Sequence, residues 1–258
     1  LQRFDSDKAA SMSWKQGLLL GLAIFLMSIV VRLPAALLSG PLAEQNIFAQ
    51  GLSGSIWSGQ AAALSAKVNG QIIPWGEVSW SLAPLSLLSL APTLDFRTQL
   101  GQQSMAGRMT VANTESVTLT RLTGQLPASL ARLFAPVSLG GQLIFEFDEL
   151  LWGKTGGIRR VEGTLIWRDA TWVSSIDRVP LGVYQLSLSS SEDTIRGVLS
   201  SSAGTVFASG ELEYAGGDYA VNLLVQPEGY AQQRLRQTLA LIAQPEGDAF
   251  RIKLAGQL

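Results

Sequence analysis

The 258-residue chain contains no cysteine and no histidine. Without cysteine there is no disulfide framework and no thiol nucleophile, whichever redox compartment the chain occupies. Without histidine there is no zinc site of the usual kinds, no Ser–His pair and no common proton shuttle near neutral pH. Charge is scarce as well, at 15% of residues with a net charge of −1. That balance lacks the basic footprint of a nucleic-acid binder. These absences point away from catalysis and towards a structural or binding role. No catalytic, cofactor-binding or metal-ligating residue is expected, and no cofactor.

What is present begins with one uncharged run, Gln16 to Val31, bracketed by Lys15 and Arg32. Its sixteen residues make roughly 24 Å of helix at ~1.5 Å per residue, slightly under a ~30 Å hydrocarbon core. Leu33–Leu38 prolongs the run, Arg32 can snorkel on its aliphatic stem, and Trp14 stands where an interfacial aromatic belongs. The reading is a transmembrane helix over 14–38, after a polar cytoplasmic tail at 1–13. Cleavage as a signal peptide is disfavoured, because the candidate sites place Leu33, Pro34, Leu38 or Pro41 at the −3 position. Arg3, Lys8 and Lys15 precede the span and Arg32 alone follows closely, so the bulk of the chain is expected outside the cytoplasm.

After the breaker cluster Ser39-Gly40-Pro41, period-2 segments recur between turn residues. Val117–Thr120, Tyr184–Leu188, Val206–Tyr214 and Tyr219–Val225 each alternate apolar with small or polar residues. Gly216-Gly217-Asp218 reads as a hairpin turn, since glycine accepts the positive φ that such turns need. Two amphipathic helices are expected at Pro127–Phe134 and Tyr230–Ala243, and a last strand at Ala249–Leu254. The predicted fold is therefore an all-β domain over 43–258, a curved antiparallel sheet or sandwich, with one N-terminal transmembrane helix. An internal echo, Leu52–Ala61 against Val161–Ala170, suggests two related β units. Both copies read hydrophobe-x-Gly-[Ser/Thr]-aliphatic-Trp, with one extra residue before the second tryptophan.

Seven tryptophans are present. Trp57, Trp75, Trp80, Trp152, Trp167 and Trp172 fall in or beside expected strands. They could form a stacking platform for a ligand or partner, but filling a β core is the expectation. Glu146, Asp148 and Glu149 are read as the wet face of a strand, since no second acid marks a glycosidase pair. Lys67 and Lys154 have abundant serine nearby but no strained nucleophile turn. Gly153-Lys154-Thr155-Gly156-Gly157 lacks the spacing of a phosphate loop and reads as a turn.

The order of these features resembles the N component of the bacterial type II secretion pathway over nearly the whole length. The resemblance rests on the short tail, a span ending Leu33-Pro34-Ala35, Gly54-Ser55-Ile56-Trp57-Ser58-Gly59 and Trp80–Leu88. It continues through Gly163–Ala170 and an ending of hairpin, helix and a strand finishing Gly256-Gln257-Leu258. The sequence departs from the pattern at Ala243-Gln244-Pro245. The resemblance implies a single-pass inner-membrane protein of a Gram-negative bacterium, with a periplasmic β domain and no known catalytic residues. Its expected partners are other inner-membrane or periplasmic secretion components and the lipid bilayer. The alternative is a lipid- or hydrophobic-ligand-binding protein, with strands curved into a groove as in AsmA-like and LptC-like proteins.

Overall fold

Among the described residues of a computed structural model of the chain, alternating apolar and polar residues build fifteen strands that join in one antiparallel sheet. The structure describes residues 14–68, 70–113, 115–133, 138–153, 157–173, 177–229, 235, 239 and 243–257. The strands are β1 (Ile47–Gln50), β2 (Ser53–Gly54), β3 (Ser58–Val68), β4 (Gln71–Leu82), β5 (Thr93–Leu100), β6 (Gln103–Asn113) and β7 (Ser116–Pro127). They continue as β8 (Leu139–Gly153), β9 (Gly157–Val173), β10 (Arg178–Ser191), β11 (Thr194–Gly204), β12 (Val206–Ala215), β13 (Asp218–Pro227), β14 (Gln244–Glu246) and β15 (Ala249–Gln257). From β3 to β13 each strand pairs with the next in sequence. The order closes with β15 and then β14 at one edge, β1 lies at the other, and β2 pairs with β3 off this path.

The sheet has an apolar and a polar face. Read straight across the ladder, one level runs Ala61, Val78, Thr98, Met105, Gly124, Phe145, Leu165, Leu186, Leu199, Gly210, Leu223 and Ile252. Opposed residues share a face, so this is one stripe across twelve strands in which Thr98 is the only polar side chain. The adjacent level runs Gln60, Ser79, Arg97, Ala106, Thr123, Glu146, Thr164, Ser187, Val198, Glu211, Asn222 and Lys253. It points the other way and is polar but for Ala106 and Val198. Ala61, Val78, Thr98 and Phe145 on the apolar level are buried, whereas Leu165, Leu186, Leu199, Leu223 and Ile252 are half-buried.

The hairpin at Gly216-Gly217 forms as expected, with Ala215 opposite Asp218 and φ of 61° and 98° at its two glycines. The four period-2 segments lie in β7, β10, β12 and β13, and the final strand runs a little further than expected. Of the two expected arrangements, sheet or sandwich, the strands form a single antiparallel sheet, and the two suggested β units run together in one meander. The echoed motifs play different parts. Gly54–Gly59 makes a tight corner, with Ser55 N donating to Ser58 O at 2.9 Å. Gly163–Ala170 lies within β9.

The apolar helix ends earlier than hydropathy suggests. Helix α1 covers Trp14–Val31, about 27 Å at ~1.5 Å per residue. Pro34 stops it, having no N–H and disfavouring helical geometry at Leu33. Pro34 bridges Ser55 instead. A 3₁₀ turn at Ala35–Leu38 and helix α2 (Ser39–Glu44) follow, so Ser39-Gly40-Pro41 starts a helix rather than breaking one. Among the described residues no helix is long and apolar enough to cross a membrane. The end of α1 is bonded to the sheet corner: Trp57 Nε1 donates to Val30 O at 2.8 Å, and Ile56 N to Leu33 O at 3.0 Å.

Of the two later helices, the first is corrected. Pro127 ends β7, and the helix expected there is a 3₁₀ turn at Ala128–Leu133 lying against β8; Phe134 falls outside the described residues. In the second, Leu235 and Leu239 are helical and buried, while Ile242 falls outside the described residues.

Candidate functional site

Where β9 to β13 and β15 meet Leu235 and Leu239, the apolar face gathers into a buried cluster. Ala170, Val179, Tyr184, Val206, Ala208, Val225 and Phe250 belong to it, with Trp167, Trp172 and Leu181 packed alongside. Beside it opens a cavity of about 390 Å³. Its walls come from Leu143 on β8, Leu165, Trp167 and Trp172 on β9, Leu181, Tyr184 and Leu186 on β10, and Leu199 on β11. Val206 and Ala208 on β12, Val225 on β13 and the two helical leucines complete it.

Period-2 geometry explains the lining, because Leu165 and Trp167, Tyr184 and Leu186, and Val206 and Ala208 are i, i+2 pairs that share a face. Ala208 is small, and in the stripe Gly210 sits opposite Leu199 and Leu223. Sparse side chains on β12 leave space that bulky residues on β9 and β10 surround.

Two polar atoms in these walls are bonded to the protein's own backbone. Trp167 Nε1 donates to Gly140 O at 2.9 Å, and Tyr184 Oη donates to Val206 O at 2.6 Å. The two rings stand 5.7 Å apart and tilted by 37°, an arrangement aromatic pairs favour. Burial pushes the Tyr184 phenol up to about 12, because the phenolate is denied water.

Sequence candidates for chemistry are not brought together here. Glu146 and Asp148 are exposed. Glu149 is half-buried, because a bulge between Phe147 and Glu149 shifts the register and sets it opposite Glu162. The bulge thereby keeps Glu149 on the polar face with Glu146, because their partners Glu162 and Thr164 are two residues apart on β9. Lys67 is exposed on β3 and Lys154 lies outside the described residues, as do Thr155 and Gly156. Among the described residues, no three metal-ligating side chains cluster. Asp95 is held below the usual carboxylate range by a bidentate bond from Arg108 at 2.8 and 2.9 Å, and Glu246 likewise by Arg251. Both pairs face solvent and are screened by it, so they are weak supports for the fold.

The tryptophans meet the core expectation in part, since Trp167 and Trp172 pack against the buried cluster. Trp57, Trp75, Trp80, Trp167 and Trp172 are all half-buried, and Trp152 is 49% exposed. Trp167 and Trp172 also line the cavity. Its other walls escaped sequence reading, although alternation over Tyr184–Leu188 and Val206–Tyr214 placed their apolar residues on one face. What sequence did not reveal was that these faces enclose a space.

Comparison with known proteins gives a consistent picture. The family described as Type II secretion system (T2SS), protein N matches residues 45–253. A Type II secretion system protein N from Aeromonas hydrophila is 26% identical over 248 residues, covering 92% of this chain and 96% of that protein. One from Vibrio cholerae serotype O1 is 25% identical over 246 residues, covering 91% and 95%. No solved structure matches the chain.

Proposed function

The chain belongs to the type II secretion system protein N family, and from that membership we propose that it is a non-catalytic accessory component of type II secretion. In this reading the sheet stands in the periplasm of a Gram-negative cell, held at the inner membrane by α1. It acts by contact with other inner-membrane or periplasmic components of the machinery. The observation that carries the proposal is the extent of the family match, which begins after α1 and runs through almost the whole sheet.

The anchoring role of α1 is supported by its surface. Leu18, Leu19, Leu20 and Leu22 are all exposed, and successive residues lie ~100° apart around a helix. The apolar surface therefore has no single side for a protein core, which is how a helix surrounded by lipid reads. Its length is a few ångströms short of a typical bilayer core. Arg32 reaching to the headgroups and local thinning accommodate a mismatch of that size.

The test is deletion of the chain from its host, followed by measurement of a folded exoprotein in the medium. Loss of secretion, restored by the full chain but not by α1 alone, is expected. Unchanged secretion would overturn the accessory role. For topology, alkaline phosphatase fused after Leu258 should be active, and activity of a cytoplasm-only reporter there would reverse the orientation.

A further inference from the structure

We infer that the cavity beneath Leu235 and Leu239 holds a single long alkyl chain, a role beyond the accessory one proposed above. Its walls are hydrocarbon, and the Trp167 N–H and Tyr184 O–H already bond the protein's own carbonyls. A peptide entering this space would bring an N–H and a C=O with each residue, and the walls supply no partner for them. An alkyl chain has no such groups to satisfy.

Size and continuity narrow the occupant further. At about 390 Å³ the cavity falls within the range of ligand sites. It is more than twice the ~150 Å³ apolar cavity that accommodates benzene. Leu165, Leu186 and Leu199 line it and also belong to the apolar stripe that crosses twelve strands. Beyond the cavity on the same level, Leu223 and Ile252 are also half-buried, so the hydrocarbon surface continues along the sheet. A flexible chain can follow that track, whereas a compact ring system fills only the cavity. The chain could come from a bilayer phospholipid or from a free fatty acid.

The full chain, reconstituted in nanodiscs, can be photolabelled with hexadecanoic acid bearing a terminal diazirine, and separately with phosphatidylethanolamine carrying the same acyl chain. Mass spectrometry of the digested protein then locates the label. Adducts on the peptides containing Leu165–Trp172 or Leu181–Leu186 are expected, with suppression by excess unlabelled lipid. Ala208→Phe, which fills the cavity from β12, should lower this labelling roughly tenfold while labelling of α1 stays unchanged. Labelling by phosphatidylethanolamine alone would identify the bilayer as the source, and by hexadecanoic acid alone a free fatty acid; either supports the site. Adducts confined to α1, or cavity adducts that excess lipid does not suppress, would overturn it. Should Ala208→Phe misfold, Leu199→Phe provides the same test, and the competition experiment needs no variant.

Discussion

Tyr184 on β10 and Val206 on β12 are joined by a 2.6 Å hydrogen bond across the intervening strand β11. The β11–β12 register ends at Ser200 opposite Ser209, leaving the start of β12 paired with β13 but without ladder partners on β11. Side chains replace them. Ser201 Oγ accepts from Ala208 N at 3.0 Å, and the Tyr184 phenol donates to Val206 O. Tyr184→Phe should therefore cost about 1–3 kcal/mol in denaturant unfolding, the usual loss when a buried carbonyl is left unpaired.

The same tyrosine predicts a pH dependence. Its folded value of about 12 exceeds the ~10 of an unfolded tyrosine. Between these values the unfolded chain has lost a proton that the folded chain keeps, so unfolding is favoured as pH rises. The contribution is complete below pH ~10 and declines above it by at most ~1.4 kcal/mol per unit. Unfolding curves at several pH values above 9 should show a shallower decline for Tyr184→Phe than for the parent.

Thr98 predicts a gain. It is buried in the apolar stripe, between Val78 and Met105, and its hydroxyl has no partner among the described residues. Thr98→Val keeps the branched shape and removes the unsatisfied oxygen. An increase in stability of about 1–3 kcal/mol is expected by chemical denaturation. A loss would mean that the hydroxyl is bonded in solution.

Gly204 should tolerate no side chain. It has φ of +136°, and a Cβ there would overlap the Leu181 carbonyl and the Gly182 Cα. This close approach lets Thr205 N reach Leu181 O at 3.0 Å as the chain leaves β11. Gly204→Ala should cost more than about 2 kcal/mol through strain and overpacking, measured against Gly216→Ala, where a Cβ meets nothing within 4 Å.

Trp57→Phe should loosen the junction of α1 with the sheet by removing the donor to Val30 O. A stability loss of about 0.5–1.5 kcal/mol is expected, with faster limited proteolysis between residues 32 and 46. Unchanged proteolysis would show that the Ile56–Leu33 and Pro34–Ser55 contacts hold the corner alone.

These particulars show where the sequence was readable. Tyr219–Val225 and Gly216-Gly217 were legible because alternation and positive φ are local requirements. The end of α1 was misread because hydropathy continues through Leu33–Leu38 while the backbone responds to Pro34. The bulge beside Glu149 and the closure at Gly182 and Gly204 depend on how neighbouring strands meet, which a single strand's pattern does not encode. Trp167 and Trp172 read as core filling rather than as cavity walls for the same reason: alternation says which way a residue points and is silent on what lies above it.

The meander carries a kinetic consequence. From β3 to β13 each strand's partner is the one made just before it, so loop closure stays short and relative contact order stays low for so large a sheet. The chain can then zip up in the order in which it is synthesised, each completed strand templating the next. Only the hairpin of β14 and β15, and the helical turns at Leu235 and Leu239, must wait for the end. The hydrocarbon cavity is therefore enclosed only after the strands of the meander have formed.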